Sequence, residues 1–335
     1  MNFKDFFKNN KPIIVAEIGN NHEGNFETAI RLIDKALEAG ADAVKFQTYK
    51  IENYYNKTFT EKKRYKKLKK FQLSYEQFEK LSNYSKSKKI NFFSTPFDLE
   101  SALFLNKIQN LFKISSGDNN FMELIKLIIK FNKPIIFSTG LIDFEQIRNI
   151  TKEFSEYAYK NKLAILHCVS KYPTFEADLN LNSIKFLKEK FPQYEIGYSD
   201  HSLSIEACKV ALTLGSFIVE KHFTLDKNTS SFHDHKISAN PKELNELVIF
   251  SKNIKLMLGK FQKKPTVSEI KNSRNMRRSL YASRDVIKDS LIKNHDISWL
   301  RPYKKSMNND ISFFFKKRST KNIKKDTLIT KKLLK

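Results

Sequence analysis

Residues 12–48 read PIIVAEIGNNHEGNFETAIRLIDKALEAGADAVKFQT, and this stretch sets the fold class. An apolar run, Pro12–Gly19, precedes a helical pattern over Phe26–Ala39, and a second apolar run follows at Ala41–Thr48. Near-continuous apolar strands are typical of a parallel sheet that is covered on both faces. The stretch therefore predicts one β-α-β unit.

The same alternation continues along the chain until eight strands are counted. The further strands are predicted at Ile90–Phe97, Leu111–Ser116, Pro134–Gly140, Leu163–Ser170, Tyr194–His201 and Phe217–Thr224. Helical periodicity lies between them, for example over Phe144–Lys160, and a last helix is predicted near Pro241–Leu258. Eight such units in about 250 residues predict an α/β fold of the (β/α)8 TIM-barrel type, with a doubly wound open sheet as the alternative.

The chain changes character near residue 260. We predict a barrel domain over residues 1–260, a linker over 261–275 that contains Lys263-Lys264-Pro265, and a small β-rich domain over 276–335. Strand-like pieces in that domain lie at Ser279–Ala282 and Asp310–Phe315. Within the barrel, the lysine-rich stretch Ile51–Phe71 is predicted to be a mobile loop over the mouth.

Composition narrows the class of protein. The chain has 335 residues and a net charge of +25, of which residues 260–335 carry +16 from 22 basic and 6 acidic side chains. Nucleic-acid binding is one reading of this charge, but a solvated basic face that helps to attract an anionic small substrate is favoured. No apolar run approaches the roughly 18 residues of a membrane span. The polar start of the chain shows no signal peptide, and only two cysteines are present, so we expect a cytoplasmic protein without a membrane partner.

Polar side chains end each of the eight apolar runs. They include Glu17, Lys45, Gln47, Ser94, Thr95, Lys113, Ser116, Ser138, His167, Ser170, Ser199, His201, Glu220 and His222. In a barrel, all these ends meet at one face, where active sites lie. One polar strand end is usually a cap or a turn, but eight in succession predict an active site.

The residue types indicate the chemistry. Lysines 45 and 113 with the hydroxyls of serines 116, 138 and 199 suit a small phosphate or carboxylate, and no Walker or Rossmann glycine loop is present. A single lysine could instead extend along the barrel wall to solvent. His201 and His222 end neighbouring strands and predict a divalent-metal site with open positions. Further candidates are His233 and His235, whereas His22 and His167 are predicted to be structural or supporting residues.

Carboxylates on apolar strands add to this prediction. An ionised carboxylate in such a place needs a partner, so Glu17 and Glu220 should each contact a lysine, a sugar hydroxyl or a metal-bound water. Asp234, in the loop after the last strand, can also reach the mouth, although it could simply be a solvated loop residue.

Nine short motifs follow one another along the predicted barrel: AEIGNNHEG (16–24), VKFQT (44–48), STPF (94–97), KISSG (113–117), STG (138–140), HC (167–168), YPT (172–174), SDH (199–201) and EKHFT (220–224). In content and order they resemble the sialic acid synthase family, which includes N-acetylneuraminate synthase and its legionaminate and pseudaminate relatives. RRSLYA (277–282) and LRP (300–302) resemble the family's C-terminal antifreeze-like (SAF) domain.

The resemblance implies a reaction and a set of roles. Phosphoenolpyruvate (PEP) would condense with an N-acyl-mannosamine-type sugar and water, giving a nonulosonic acid and phosphate. Catalytic roles would fall to Glu17, Lys45, Lys113 and Glu220. PEP would be held by Lys45, Thr95, Lys113, Ser116, Ser138, Ser170 and Ser199. The sugar would contact Gln47, Tyr172, Glu220, Asp234 and, from the partner subunit of a domain-swapped homodimer, Arg301. His201 and His222 would bind the metal, typically manganese, with magnesium or cobalt as alternatives.

The chain departs from the family pattern at three places. Ser170 stands where asparagine is common, Ser231–His235 replaces a Gly-Pro-Asp-His run, and the usual Gly-x-Gly loop does not follow Pro302. N-acetylneuraminate or legionaminate synthase is the favoured reading. The alternatives are pseudaminate synthase, another PEP-dependent keto-acid phosphate synthase, and a basic carbohydrate- or nucleic-acid-binding protein.

Overall fold

Eight parallel strands build the core of the computed structural model, which describes residues 2–7, 12–158, 162–304 and 314–335. The strands are β1 Ile13–Gly19, β2 Ala43–Thr48, β3 Asn91–Pro96, β4 Phe112–Ile114, β5 Ile135–Ser138, β6 Leu163–Cys168, β7 Glu195–Asp200 and β8 Ile218–His222. Their hydrogen-bonded order is β3-β2-β1-β8-β7-β6-β5-β4. Because the first strand pairs with the last, and the order ends at the consecutive strands β3 and β4, the sheet has the arrangement of the predicted (β/α)8 barrel.

Helices connect and surround the strands. They are α1 Phe3–Phe7, α2 Phe26–Glu38, α3 Ile51–Tyr54, α4 Lys62–Phe71, α5 Tyr75–Ser87, α6 Leu99–Ile108, α7 Met122–Lys130, α8 Phe144–Thr151, α9 Ser155–Ala158, α10 Asn182–Lys190, α11 Glu206–Thr213, α12 His233–Ile237, α13 Pro241–Leu258 and α14 Val267–Met276. Local sequence explains their limits. Asn25 caps the start of α2 by accepting a hydrogen bond from the Thr28 amide, and Gly40, with a φ of +87°, follows its end.

The interior of the barrel is apolar at the amino ends of the strands and polar at their carboxyl ends. In β1, Ile13 and Val15 belong to a buried cluster inside the barrel, together with Phe3 and Phe7 of α1. Glu17 follows on the same face, since successive strand residues point to opposite faces. The helix layer instead receives Ile14, Ala16 and Ile18 from this strand. The sequence thus closes one end of the barrel with phenylalanines and leaves the other end for polar groups.

Several local predictions were wrong. Residues 51–71 are not a simple loop, because they contain α3 and α4, which pack through Tyr49, Ile51, Tyr65 and Leu68. The helix predicted over 144–160 breaks at Lys152–Phe154, a 3-10 turn, before α9, and its last two residues lie outside the described part of the chain. Ser116 lies beyond β4, in a 3-10 turn.

Residues 260–335 form a second compact unit, after a first unit that ends at Gly259. In it, β9 Ser279–Ala282, which was predicted, pairs antiparallel with β10 Ile297–Leu300. Leu280, Val286 and Phe314 are among the residues of its separate apolar core. Most of the predicted linker 261–275 is helical, as α14. Of the second predicted strand, residues 310–313 lie outside the described residues, and Phe314 and Phe315 lie in a turn.

A membrane-crossing segment was not expected. Within the described ranges, every helix is too short or too polar to traverse a bilayer.

Candidate active site

A buried ion network lies at the carboxyl end of the barrel strands. Lys45 Nζ is 2.8 Å from Glu17 Oε2 and 3.6 Å from Glu220 Oε1. Lys113 Nζ donates to both oxygens of Glu220, at 2.9 and 3.0 Å. Two cations and two carboxylates from four strands therefore meet in the barrel, as the alternation of β1, β2 and β8 dictates.

Neutral side chains complete the network. Lys45 Nζ donates to Thr95 Oγ1 over 3.2 Å, and Ser199 Oγ donates to Glu220 Oε1 over 2.9 Å. Gln47 Nε2 donates to Glu17 Oε1 over 3.0 Å. The sequence-based candidates Glu17, Lys45, Gln47, Thr95, Lys113, Ser199 and Glu220 are thus brought together.

Burial and neighbouring charges give the Glu17 and Glu220 carboxyl groups different pKa values. Burial, opposed by Lys45 and reinforced by Glu220, raises the pKa of Glu17 to about 7. Burial would also raise the pKa of Glu220, but Lys113 and Lys45 outweigh it and hold that pKa at about 2. Two carboxyl groups with different pKa values in one site are typical of acid-base chemistry.

A second group of polar side chains surrounds Gly140. The Gly140 amide donates to Ser116 Oγ over 3.0 Å. A Cβ at residue 140 would lie 2.3 Å from Ser170 Oγ and 2.8 Å from Ser116 Oγ, so glycine is needed for these hydroxyls to approach. The hydroxyls of Ser138 and Ser170 are buried without a hydrogen-bond partner among the described residues. Buried unpaired hydroxyls are costly unless a ligand or water meets them.

The two candidate metal histidines are neighbours. The ring centroids of His201 and His222 are 5.5 Å apart, and the Tyr172 ring lies 4.1 Å from the His201 ring. His201 Nδ1 donates to the Val169 carbonyl over 2.8 Å, which in a neutral ring leaves the lone pair on Nε2. His222 Nδ1 is buried, has no hydrogen-bond partner in the part of the chain that the structure describes, and lies 3.9 Å from Asp234 Oδ2.

An ion pair behind these histidines was missed by sequence reasoning. Lys221 Nζ lies 2.5 Å from Asp200 Oδ2 and donates to the Ser202 carbonyl over 2.6 Å, with both side chains fully buried. Lys221 and Asp200 directly precede His222 and His201 in sequence. The sequence did contain a signal for this ion pair. Asp200 and Lys221 carry opposite charges on neighbouring strands, and by alternation their side chains point away from the barrel interior.

Other candidates have different surroundings. His167 Nε2 contacts the Leu179 carbonyl at 2.8 Å, and His22 Nδ1 accepts from the Gly24 amide at 3.0 Å, which is consistent with structural roles. His235 contacts Glu23 at 3.1 Å. Arg301 belongs to the second unit, where its Nε donates to the Met276 carbonyl over 2.8 Å.

A cavity of about 420 Å³ lies beside this centre, between α8 and α10. Its lining includes Cys168, Ser170, Phe144 and Phe186. It does not include the two lysines or Glu17 and Glu220. The ion network brings together seven of the sequence-predicted site residues, so it defines the candidate active site.

Fold and site together define a (β/α)8-barrel enzyme with a charged, buried centre at the carboxyl ends of its strands. Comparison with known proteins gives the family. Residues 32–263 match the NeuB family, and the chain belongs to it. The chain is 36% identical, over 332 residues, to the N,N'-diacetyllegionaminic acid synthase of Campylobacter jejuni, a match that covers 95% of this chain and 99% of that protein.

Two further relatives support the assignment. The pseudaminic acid synthase of Campylobacter jejuni is 34% identical and matched over 90% of both chains. The crystal structure of an N-acetylneuraminic acid synthetase from Leptospira borgpetersenii, in complex with citrate, aligns with a TM-score of 0.72 and 37% identity, over 78% of this chain and 90% of that chain. All three relatives are named as synthases or synthetases of sialic-acid-type sugars, and this chain is a synthase of the sialic-acid type.

Proposed function

We propose that the enzyme condenses PEP with the open-chain form of an N-acyl-mannosamine-type sugar and with water. C3 of PEP bonds to the aldehyde carbon of the sugar, water adds at C2, and the bond from C2 to the phosphate oxygen breaks. The products are inorganic phosphate and a nine-carbon 2-keto acid, N-acetylneuraminate or a legionaminate-type acid. The relatives' names support this reaction class, and the site supports the roles below.

The observation that carries the proposal is the balanced network of Glu17, Lys45, Lys113 and Glu220. Lys45 and Lys113 are buried and paired with carboxylates. A bound anion whose oxygens reach the two ammonium groups would form charge-assisted hydrogen bonds with them. PEP carries both a phosphate and a carboxylate, so it suits two cations. Fixed cations and hydroxyls would hold it in one geometry toward the second substrate.

We assign the PEP site to residues that end five of the strands or follow a strand. They are Lys45, Thr95, Lys113, Ser116, Ser138, Ser170 and Ser199. The buried hydroxyls of Ser138 and Ser170, for which the described residues offer no hydrogen-bond partner, favour this assignment, because PEP oxygens would supply such partners.

Proton transfer is assigned to Glu17. A pKa of about 7 suits a group that accepts a proton from water near neutral pH. Glu220, whose low pKa keeps it ionised, orients Lys113 and Lys45 and contacts a sugar hydroxyl. Glu17, Lys45, Lys113 and Glu220 are therefore the proposed catalytic set.

The sugar site is proposed to comprise Gln47, Tyr172, Glu220 and Asp234. Tyr172 is partly exposed over the histidine pair, and Asp234 is buried beside His222. Arg301 would reach the N-acyl group from the partner subunit of a domain-swapped homodimer, with residues 276–335 as an antifreeze-like SAF domain. The exposed position of Arg301 suits such a contact.

The residues present fit a divalent ion at His201 and His222. The orphaned Nδ1 of His222 is the supporting observation, and burial lowers the pKa of His222 to about 3, so the ring is neutral, as a metal ligand must be. Within the described residues, no group of three or more His, Cys, Asp and Glu side chains is arranged to hold a metal ion. We propose water and substrate as the further ligands beside the two histidines. A bound ion would supply Lewis-acid polarisation of the sugar carbonyl. We propose manganese, with magnesium or cobalt as alternatives.

Phosphate release from PEP tests the function. The substrates are N-acetylmannosamine, a 2,4-diacetamido-2,4,6-trideoxy-mannose and its altrose isomer, each with manganese and with chelator. We expect metal-dependent release with one of the first two, whereas release with the altrose isomer alone indicates a pseudaminate-type product. Lys113→Met serves as the control against contaminating phosphatase. A folded, metal-loaded enzyme that is silent with all three sugars would contradict the proposal. The cytoplasmic location stays a prediction.

A further inference from the structure

A directional chain of hydrogen bonds leads into the candidate base from residues that the proposed function does not use. The Tyr49 hydroxyl has a single proton to donate, and two acceptors lie within reach of it: the Leu68 carbonyl at 3.0 Å and Asn20 Oδ1 at 3.3 Å. Asn20 Nδ2 donates to Gln47 Oε1 over 2.9 Å. Gln47 Nε2 donates to Glu17 Oε1 over 3.0 Å. Two amides thus connect a tyrosine to a catalytic carboxylate.

The ionised form of Glu17, which is the form that acts as a base, fixes the direction of this chain. An ionised Glu17 only accepts hydrogen bonds, so Gln47 must turn its nitrogen toward it. Gln47 then offers its oxygen to Asn20, and Asn20 must offer its nitrogen in return. The remaining oxygen of Asn20 faces the Tyr49 hydroxyl. Burial raises the pKa of Tyr49 far above its usual value, so this hydroxyl keeps its proton.

The surroundings leave the two amides little freedom. Asn20 and Tyr49 are buried, and Glu17 is 2% exposed. Gly19 has a φ of +54°, and a Cβ there would lie 3.1 Å from both Gln47 Nε2 and Glu17 Oε1. A side chain at residue 19 would therefore crowd the last bond of the chain.

We propose that Asn20 is a positioning residue, which fixes the orientation of the Gln47 amide between Glu17 and the sugar. With that orientation fixed, Gln47 directs one N–H at Glu17 and keeps its second N–H for the substrate. The inference rests on the proposed function for the identity of that substrate. Asn20, which directly follows β1, thus acts on Glu17 through the Gln47 amide.

Two substitutions of Asn20 separate positioning from packing. Asn20→Asp keeps the volume of the side chain but replaces the donor Nδ2 by an oxygen. Two acceptors then face each other, so the Gln47 amide turns and directs its oxygen at Glu17. Asn20→Ala removes volume and the hydrogen bonds of the Asn20 side chain with Gln47 and Tyr49, but it leaves the Gln47 amide free to keep its orientation. We therefore expect Asn20→Asp to raise KM for the sugar by about tenfold or more and to lower kcat, and Asn20→Ala to have a smaller effect. KM for PEP should stay within about twofold of wild type if the effect is confined to the sugar side.

The reverse order, with Asn20→Ala more damaging than Asn20→Asp, would reduce Asn20 to a packing residue and overturn the proposal. So would wild-type kinetics in Asn20→Asp. Asn91→Asp is the matched control, because Asn91 Nδ2 donates to the Asp42 carbonyl at the opposite end of the barrel. We expect this variant to keep the wild-type KM for the sugar.

A double-mutant cycle with Gln47→Ala tests the proposal by thermal stability, a measurement that does not depend on enzyme activity. If Asn20 acts through Gln47, Asn20→Asp lowers the melting temperature of the wild type more than that of Gln47→Ala. Equal losses in both backgrounds would contradict the proposal, even if the enzyme used none of the three sugars. If the wild type is inactive with all three sugars but the cycle shows coupling, the proposed function is contradicted, whereas the positioning role of Asn20 is supported.

Discussion

Lys113 on β4 and Glu220 on β8 form a two-point contact, in which one ammonium group lies 2.9 and 3.0 Å from the two oxygens of one carboxylate. Both side chains are almost completely buried, at 3% and 6% exposure. Because Lys45 also lies near Glu220, the carboxylate balances two buried cations. The contact thus connects the stability of the barrel with the electrostatics of its centre.

Removing the charge of Glu220 should therefore take the carboxylate partner from the buried Lys113, whereas Lys45 keeps Glu17. We expect Glu220→Gln to reduce the free energy of unfolding by about 3–5 kcal/mol, as for other broken buried pairs, and to abolish activity. Urea unfolding and phosphate release are the measurements. Asp285→Asn provides the comparison, since it breaks an exposed pair with Lys324 and should leave both quantities unchanged. A stable Glu220→Gln enzyme would show that the lysines lose their charge or find other partners.

A methyl group at Gly140 should impair PEP binding specifically. In Gly140→Ala the new Cβ would meet Ser170 Oγ at 2.3 Å and Ser116 Oγ at 2.8 Å, so the serines must move. We expect KM for PEP to rise about tenfold or more, because the displaced Ser116 and Ser170 hydroxyls would no longer donate to PEP. KM for the sugar should change little. Steady-state kinetics with each substrate varied in turn provide the measurement.

Gly117→Ala is the matched control for that substitution. Gly117 follows Ser116, but a Cβ there would have only an ordinary 3.6 Å contact with Ser115 Oγ. Normal kinetics are expected for this variant. If both alanine variants behaved alike, crowding of the serines at Gly140 would not be the cause.

The barrel could be predicted from the sequence because its signals are local. Apolar strands ending in polar residues such as Glu17 and Lys45 indicate both the repeat and the active face. The partners across the barrel could not be predicted, since the contact between Lys113 and Glu220 joins residues 107 positions apart. The helix α4 was missed because its apolar face consists of a few residues, including Tyr65 and Phe71, among lysines.

Acid should destabilise the protein through His22. Burial lowers the pKa of His22 to about 4 from the ordinary 6.5, so the unfolded chain takes up the proton first as pH falls. The stability due to the neutral ring is complete above pH 6.5 and declines as pH falls toward 4. Between pH 7.5 and 5, this loss amounts to about 2 kcal/mol.

His22→Asn should remove that loss, because an amide oxygen can accept the Gly24 N–H but cannot take a proton at these pH values. The measurement is urea unfolding of both proteins at pH 7.5 and 5. Other groups titrate equally in the two proteins and cancel in the difference. Parallel pH dependence in wild type and variant would refute the role of His22.

Activity should depend on the ionisation of Glu17, whose pKa burial raises to about 7. As a base, Glu17 must be ionised, so kcat/KM should rise as pH increases through about 7 and level off above it. Glu17→Gln should lower kcat by roughly 10²–10⁴-fold, the usual contribution of a general base, and abolish the pH-dependent rise. The same raised pKa makes folding more favourable below pH 4.5 and less favourable as pH passes 7. Glu17→Gln should therefore gain stability relative to wild type at pH 8 but not at pH 4, which urea unfolding at both values tests without turnover.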